Sequence, residues 1–105
     1  MTVRVGINGF GRIGRSVFRI LSDRPDVEVA AINDLHPNDQ LAYLLKYDTV
    51  MGIFPKEVTT NRDTMTVAGR AIRMTAEREP ARLPWREVGA RLVVESTGEI
   101  GRAHV

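Results

Sequence analysis

Residues 3–14, Val-Arg-Val-Gly-Ile-Asn-Gly-Phe-Gly-Arg-Ile-Gly, decide the fold of this chain. Their first half alternates between apolar and other residues, which predicts a strand. A helix is predicted next, because apolar residues recur at helical spacing: Ile13, Val17, Ile20 and Leu21. Between the two, Gly9 would permit a tight turn, Gly11 would let a pyrophosphate approach the backbone, and Gly14 would let the helix pack closely on the strand. The stretch therefore predicts a dinucleotide-binding turn.

An acidic residue stands where such a turn needs one. Asp34 lies 20 residues beyond Gly14, just after a second apolar run at 27–32. A carboxylate at this place can accept hydrogen bonds from both hydroxyls of an adenosine ribose. A glycine turn that binds nothing is the alternative, because glycines also serve turns for purely structural reasons.

Composition indicates one soluble globular domain. The 105 residues are 43% hydrophobic and 27% charged, and they include no cysteine, which excludes disulfides, thiolate metal sites and a thiol nucleophile. The 15 basic residues are interspersed with 13 acidic ones, which argues against nucleic acid as the primary partner. No apolar run is long enough to cross a membrane and no signal peptide precedes the first strand, so we expect no membrane partner and a cytoplasmic location.

The remaining pattern alternates between helices and strands. We expect a helix at 37–46, a loop marked by Gly52 and Pro55, a β-hairpin at 58–67 with its turn at 61–63, and a strand at 71–74 after a turn at 69–70. A short helical turn is expected around 83–85, and a last strand, covered on both faces, at 92–94. This order predicts an α/β fold, a Rossmann-type doubly wound parallel sheet with an inserted β-hairpin and strand order 3-2-1-4.

Three polar or glycine-rich clusters follow the predicted first, second and fourth parallel strands, at 9–14, 33–34 and 96–98. The carboxyl ends of parallel strands meet at one edge of a sheet, so the clusters should converge on a single crevice. We expect residues 1–105 to form part of a dinucleotide-binding domain that is truncated before its end.

At Asn-Gly-Phe-Gly-Arg-Ile-Gly-Arg (8–15) and Glu-Ser-Thr-Gly (95–98), the sequence resembles phosphorylating glyceraldehyde-3-phosphate dehydrogenases, a glycolytic family. The resemblance covers 1–98 and includes the segments 31–34, 45–49, 77–78 and 83–85. Erythrose-4-phosphate dehydrogenases share most of these motifs but tend to carry Glu where Asp34 stands. Met51, where many members have His, indicates a bacterial subgroup.

This resemblance implies NAD as the cofactor. The pyrophosphate would be held by the backbone N–H groups of Arg12 and Ile13, in a turn shaped by three preceding residues, Gly9, Phe10 and Gly11. Asp34 would bind the adenosine ribose. Asp34 followed by Leu35 suits NAD rather than NADP, since a 2′-phosphate would meet a carboxylate.

The resemblance places Asn33 and Arg78 beside the adenine, and Thr97 and Gly98 along the nicotinamide half of the cofactor. Each also has a plain structural interpretation: a turn cap for Asn33, a solvated charge run for Arg78, and a strand-ending turn for the last two. The two histidines, His36 and His104, lack partners at ligand spacing and are expected to be surface residues, so no metal site is predicted.

The family's catalytic Cys and its partner His lie far downstream of the residues present here. The chain would therefore supply cofactor binding and would not turn over substrate by itself. Two alternatives are a fragment of an erythrose-4-phosphate dehydrogenase and a stand-alone adenine-nucleotide-binding module without redox chemistry. A homo-oligomer is expected, a tetramer for the intact family member and self-association through the open edge of strand 92–94 for this chain.

Overall fold

Strand β1 (Val3–Asn8) lies inside a six-stranded sheet, according to a computed structural model that describes residues 2–97. The order along the sheet is β5-β6-β7-β2-β1-β8. The other strands of this sheet are β2 (Val27–Asn33), β5 (Val58–Thr60), β6 (Thr64–Val67), β7 (Arg70–Thr75) and β8 (Leu92–Glu95). Strands β7, β2, β1 and β8 run parallel, which confirms the predicted doubly wound order 3-2-1-4.

Two helices cover one face of this sheet, α1 (Arg12–Leu21) and α2 (Asn38–Lys46). Helix α1 contacts β2, and helix α2 contacts β5 and β6. The buried core cluster includes Ile7 of β1 and Ile32 of β2, both fully buried. The helix predicted at 37–46 is confirmed as α2, in which Leu41 and Leu45 are buried. No helix within residues 2–97 is long and apolar enough to cross a membrane.

Helix α1 forms where the sequence predicts it, but it turns a different face to the core. Ile13 and Ile20 are 69% and 63% exposed, whereas Phe18 and the charged Arg19 are buried. Phe18 packs edge-on against Phe10, with 5.8 Å between ring centroids. Helical spacing identified the helix correctly and its buried face only in part.

The opposite face of the sheet is approached by the segment that follows β7. A Cβ on Gly6 would lie 2.5 Å from the Trp85 ring, so the indole packs directly on the β1 backbone. The helical turn expected around 83–85 lies slightly later, at 84–88, where the Val88 N–H donates to the Pro84 carbonyl at 2.9 Å. A short 3₁₀ helix that was not predicted precedes it, at Pro80–Arg82. Leu83 is extended (φ −68°, ψ 143°) because Pro84 follows it, and a residue before proline is disfavoured in helical conformation.

The predicted hairpin at 58–67 is confirmed, and β5 and β6 pair antiparallel. The next turn is formed by Ala68 and Gly69, both at positive φ (51° and 83°), one residue earlier than predicted. Such a turn matches the natural twist of two antiparallel strands. A second small hairpin, β3 (Tyr47–Asp48) with β4 (Gly52–Ile53), is formed where only a loop was predicted.

Strand β8 is the edge strand of the sheet next to β1. The sequence predicts that its apolar run is covered on both faces, and this prediction is wrong. Leu92 is 54% exposed, and Val93 and Val94 are half-buried. Within the described residues β8 pairs with β1 alone. Gly98 and the segment 99–105 lie outside the described residues.

Candidate dinucleotide-binding edge

The turn between β1 and α1 depends on two of its glycines. Gly9 has φ +94°, and a Cβ there would lie 2.6 Å from the Ser96 carbonyl oxygen. A Cβ on Gly14 would lie 2.2 Å from the Gly9 carbonyl oxygen and 2.9 Å from Ser96 Oγ. The predicted close approach at Gly14 therefore exists, but it is to the turn itself and to the end of β8 rather than to strand β1.

The third glycine of the turn faces open space. Nothing lies within 4 Å of a Cβ built on Gly11, which precedes the first residue of α1. Helices leave their first N–H groups without internal partners. Within residues 2–97, the backbone N–H groups of Gly11, Arg12 and Ile13 have no hydrogen-bond acceptor, and all three residues are exposed. An open surface with three free donors at a helix N-terminus fits a phosphate group.

Phe10 does not share this exposure. Its side chain is fully buried in the core, and its N–H donates to Asp34 Oδ2 at 2.7 Å. Phe10 can therefore shape the turn, as the resemblance implies, but its ring is not available to a ligand.

Asp34 lies at the end of β2, with its side chain 12% exposed. Oδ2 accepts the Phe10 N–H, while Oδ1 accepts the His36 N–H at 2.9 Å and lies 2.7 Å from His36 Nδ1. Burial raises the pKa of Asp34, but the backbone N–H groups of His36 and Phe10 and the His36 ring outweigh burial and hold this pKa below its ordinary value. The carboxylate is thus ionised at neutral pH and is fixed beside the glycine turn.

The sequence did not predict the contact between Asp34 and His36. Its ring is 68% exposed, as expected for a surface residue, but it pairs with the acidic residue of the site. A carboxylate oxygen can only accept, so Nδ1 carries the proton that it donates. His104 lies outside the described residues.

A row of polar side chains, which sequence reasoning missed, joins the carboxyl ends of the four parallel strands. Thr75 Oγ1 donates to Asn33 Oδ1 at 2.6 Å, Asn33 Nδ2 donates to Asn8 Oδ1 at 3.0 Å, and Asn8 Nδ2 donates to Glu95 Oε2 at 2.9 Å. The four residues are in register across the sheet. Each ends its strand, which is the signal that could have revealed the row.

Asn33 stands at the centre of this row and is 5% exposed. Beyond its strand neighbours, its Oδ1 accepts the Glu77 N–H at 2.8 Å and its Nδ2 donates to the Glu77 carbonyl at 3.0 Å. Both amide hydrogens and both acceptor sites are therefore in use. The geometry gives Asn33 a positioning role, since it holds the segment that leads to Arg78 against the end of β2.

The other predicted residues border the same edge. The side chain of Arg78 is exposed, and within residues 2–97 it makes no ion pair. Thr97 is exposed and donates through Oγ1 to Glu95 Oε1 at 2.8 Å. Ser96 N–H donates to the Asn8 carbonyl at 2.8 Å and Ser96 Oγ to the Gly9 carbonyl at 2.6 Å, so the end of β8 is bound to the glycine turn. Gly98 is not described.

Comparison with known proteins agrees with this geometry. The profile of the family described as "Glyceraldehyde 3-phosphate dehydrogenase, NAD binding domain" matches residues 3–103. A glyceraldehyde-3-phosphate dehydrogenase of Streptomyces coelicolor is 52% identical over 93% of this chain and 30% of its own length. Glyceraldehyde-3-phosphate dehydrogenase A of Escherichia coli K12 is 51% identical over 100% of the chain and 33% of its length.

Glyceraldehyde-3-phosphate dehydrogenase 1 of Bacillus cereus is 55% identical over 90% of the chain and 28% of its length. The chain thus spans about a third of the length of these curated relatives. The glycine turn, the acidic end of β2 and the parallel strand order all lie within the matched residues. The chain belongs to the glyceraldehyde-3-phosphate dehydrogenase family and corresponds to its NAD-binding domain.

Proposed function

We propose that the carboxyl-end edge of the sheet binds NAD in an extended pose, with its pyrophosphate at the N-terminus of α1 and its adenosine ribose at Asp34. The observation that carries this proposal is the pairing of three free N–H groups at Gly11, Arg12 and Ile13 with an ionised carboxylate at the neighbouring strand end. A helix N-terminus favours the phosphate charge, and a carboxylate favours a ribose diol.

The remaining predicted residues take supporting roles in this proposal. Gly9 and Phe10 shape the turn, and Asn33 holds the 77–78 segment so that Arg78 borders the adenine. Thr97 and Gly98 follow β8, the strand next to β1 on the side away from Asp34, which suits the nicotinamide half. Bound NAD would supply a hydride acceptor, and this chain's residues would bind and orient it.

For the whole protein we propose the oxidation and phosphorylation of glyceraldehyde 3-phosphate with NAD. Support comes from relatives that bear the name of this enzyme and are 51–55% identical to the chain. In this proposal residues 1–105 are part of the cofactor domain. Assembly as a homo-oligomer and a cytoplasmic location stay predictions from the sequence.

Replacing Asp34 by alanine should weaken NAD binding roughly 10- to 100-fold. A hydrogen bond to a charged group contributes about 1.5–3 kcal/mol, and about 1.4 kcal/mol is a tenfold change in affinity. Calorimetric titration of the chain with NAD and NADP measures the effect, and the unchanged chain should prefer NAD. Equal affinities of the unchanged chain for the two cofactors would contradict the ribose role of Asp34.

Asp34→Asn is the matched control, because an amide oxygen can still accept the Phe10 N–H and so retain the turn. This variant should lose less NAD affinity than the alanine variant while losing most of its discrimination against NADP. If both variants bind NAD like the unchanged chain, the ribose lies elsewhere.

The 105-residue chain should not oxidise glyceraldehyde 3-phosphate. The reaction needs a nucleophile that adds to the aldehyde, and the sequence contains no cysteine. An assay of NADH formation with aldehyde, NAD and phosphate tests this, with a mock purification as the blank for host enzyme. Turnover above that blank would show that the chemistry resides in residues given no such role here.

A further inference from the structure

We propose that a cavity at the amino-end edge of the sheet binds a medium-chain fatty acid, with the alkyl chain inside the cavity and the carboxylate at Arg70. The cavity has a volume of about 580 Å³ and lies between the end of α1 and the first residues of β2 and β7. The proposed NAD site lies at the carboxyl ends of the same strands. The two sites are therefore separate, and this inference does not rest on NAD binding.

The cavity exists because β2 and β7 separate at their amino ends. Their pairing begins with Ala31 opposite Arg73 and ends with Asn33 opposite Thr75. The first three residues of β7, 70–72, are paired with β6 on the other side. The space between the two amino ends stays open, because α1 packs on β2 whereas α2 packs on β5 and β6.

The inner wall of the cavity is apolar and mostly aliphatic. Its apolar side chains come from α1, β2, β6 and β7: Phe18, Leu21, Val27, Val29, Val67 and Ile72. Leu21 and Val27 are half-buried, and the other four are at most 9% exposed, so the core already holds them in place. The volume is that of an ordinary small-molecule site. Each CH₂ that leaves water for such a wall tightens binding roughly fourfold, which favours an alkyl chain as the occupant.

The rim of the cavity has one positive charge without a partner. Arg70 is exposed and, within residues 2–97, forms no ion pair. The other charged residues of the lining are already paired: Lys56 with Asp23, Arg24 with Asp26, and Glu28 with Arg4. A guanidinium can bind a carboxylate through two parallel hydrogen bonds. An alkyl chain that ends in a carboxylate therefore matches both the wall and the rim.

The test titrates the 105-residue chain, without NAD, with decanoate and octanoate below their micelle concentrations, by calorimetry and by NMR of the methyl groups. Decanoate should bind roughly 10-fold more tightly than octanoate, because it buries two more CH₂ groups. The methyl resonances of Leu21, Val27 and Val29 should shift. Decyltrimethylammonium, which has the same chain and the opposite charge, should bind at least about 10-fold more weakly than decanoate. Equal binding of the two charges, or methyl shifts confined to other residues, overturns the proposal.

Two substitutions and a matched control locate the binding site. Arg70→Gln should weaken decanoate binding roughly 10-fold and leave decyltrimethylammonium binding no weaker. Arg62→Gln, at an exposed arginine outside the cavity lining, should bind decanoate like the unchanged chain. Val27→Phe places a ring in the cavity and should abolish decanoate binding. Circular dichroism checks that each variant is folded, and the exposed Arg70 allows the comparison even if Val27→Phe is not. Decanoate binding by Arg70→Gln equal to that of Arg62→Gln contradicts the proposal.

Discussion

Gly14→Ala is expected to unfold the chain or to reduce its free energy of unfolding by more than about 4 kcal/mol, although alanine is the better helix former. The new Cβ would lie 2.2 Å from the Gly9 carbonyl oxygen and 2.9 Å from Ser96 Oγ. These two atoms are themselves joined by a 2.6 Å hydrogen bond. Helix propensity would return only about 1 kcal/mol. A steric conflict of this size belongs to the few mechanisms that produce such large losses.

Gly11→Ala is the matched control on the same turn. A Cβ there meets nothing within 4 Å, so the free energy of unfolding should change by no more than about 1 kcal/mol. The methyl group would instead occupy the space proposed for the pyrophosphate and weaken NAD binding. Thermal unfolding followed by circular dichroism, with an NAD titration of Gly11→Ala, separates the two effects. A melting temperature of Gly14→Ala within a few degrees of the unchanged chain would show that α1 can shift without cost.

The central sheet could be predicted because short stretches of the sequence indicate each of its strands and the turn between them. Alternating residues in β1, an apolar β2 and the glycine turn between β1 and α1 each indicate an element, and parallel topology then allows few strand orders. The hairpin β5–β6 was predicted with correct bounds for the same reason. By contrast, β3 and β4 have two residues each, too few to show any periodicity.

The candidate site was predictable residue by residue but not as an arrangement. The sequence places Asp34 after a strand, yet it does not show that His36 occupies one of its oxygens. Asn8 and Asn33 are 25 positions apart, and only the parallel register of β1 and β2 brings their amides together. Such contacts depend on where strands end relative to one another, which periodicity does not specify.

Arg19 is the clearest case of a residue that pattern reasoning could not assign. It is 8% exposed and binds three backbone carbonyls. Its guanidinium donates to Leu45 O and Gly52 O, each at 2.7 Å, and to Met51 O at 3.3 Å, and it lies 5.3 Å from the Phe54 ring centroid. It thus fixes the β3–β4 hairpin and the end of α2 to α1.

Arg19→Ala should therefore lower the free energy of unfolding by about 3 kcal/mol or more. The Leu45 carbonyl lies in the last turn of α2, where a cation interacts favourably with the helix dipole, and leaving this buried carbonyl without its partner costs about 1–3 kcal/mol by itself. The melting temperature should fall by at least about 12 °C, measured by calorimetry. Two control variants make this prediction specific. Arg19→Lys keeps the charge but not the fork of donors, so we expect an intermediate loss of melting temperature.

The second control is Arg62→Ala, at an exposed arginine that forms no ion pair within residues 2–97. This substitution should change the melting temperature little. Equal melting temperatures for Arg19→Ala and Arg62→Ala would mean that water replaces the guanidinium at these carbonyls, and that the hairpin is held by its apolar contacts alone.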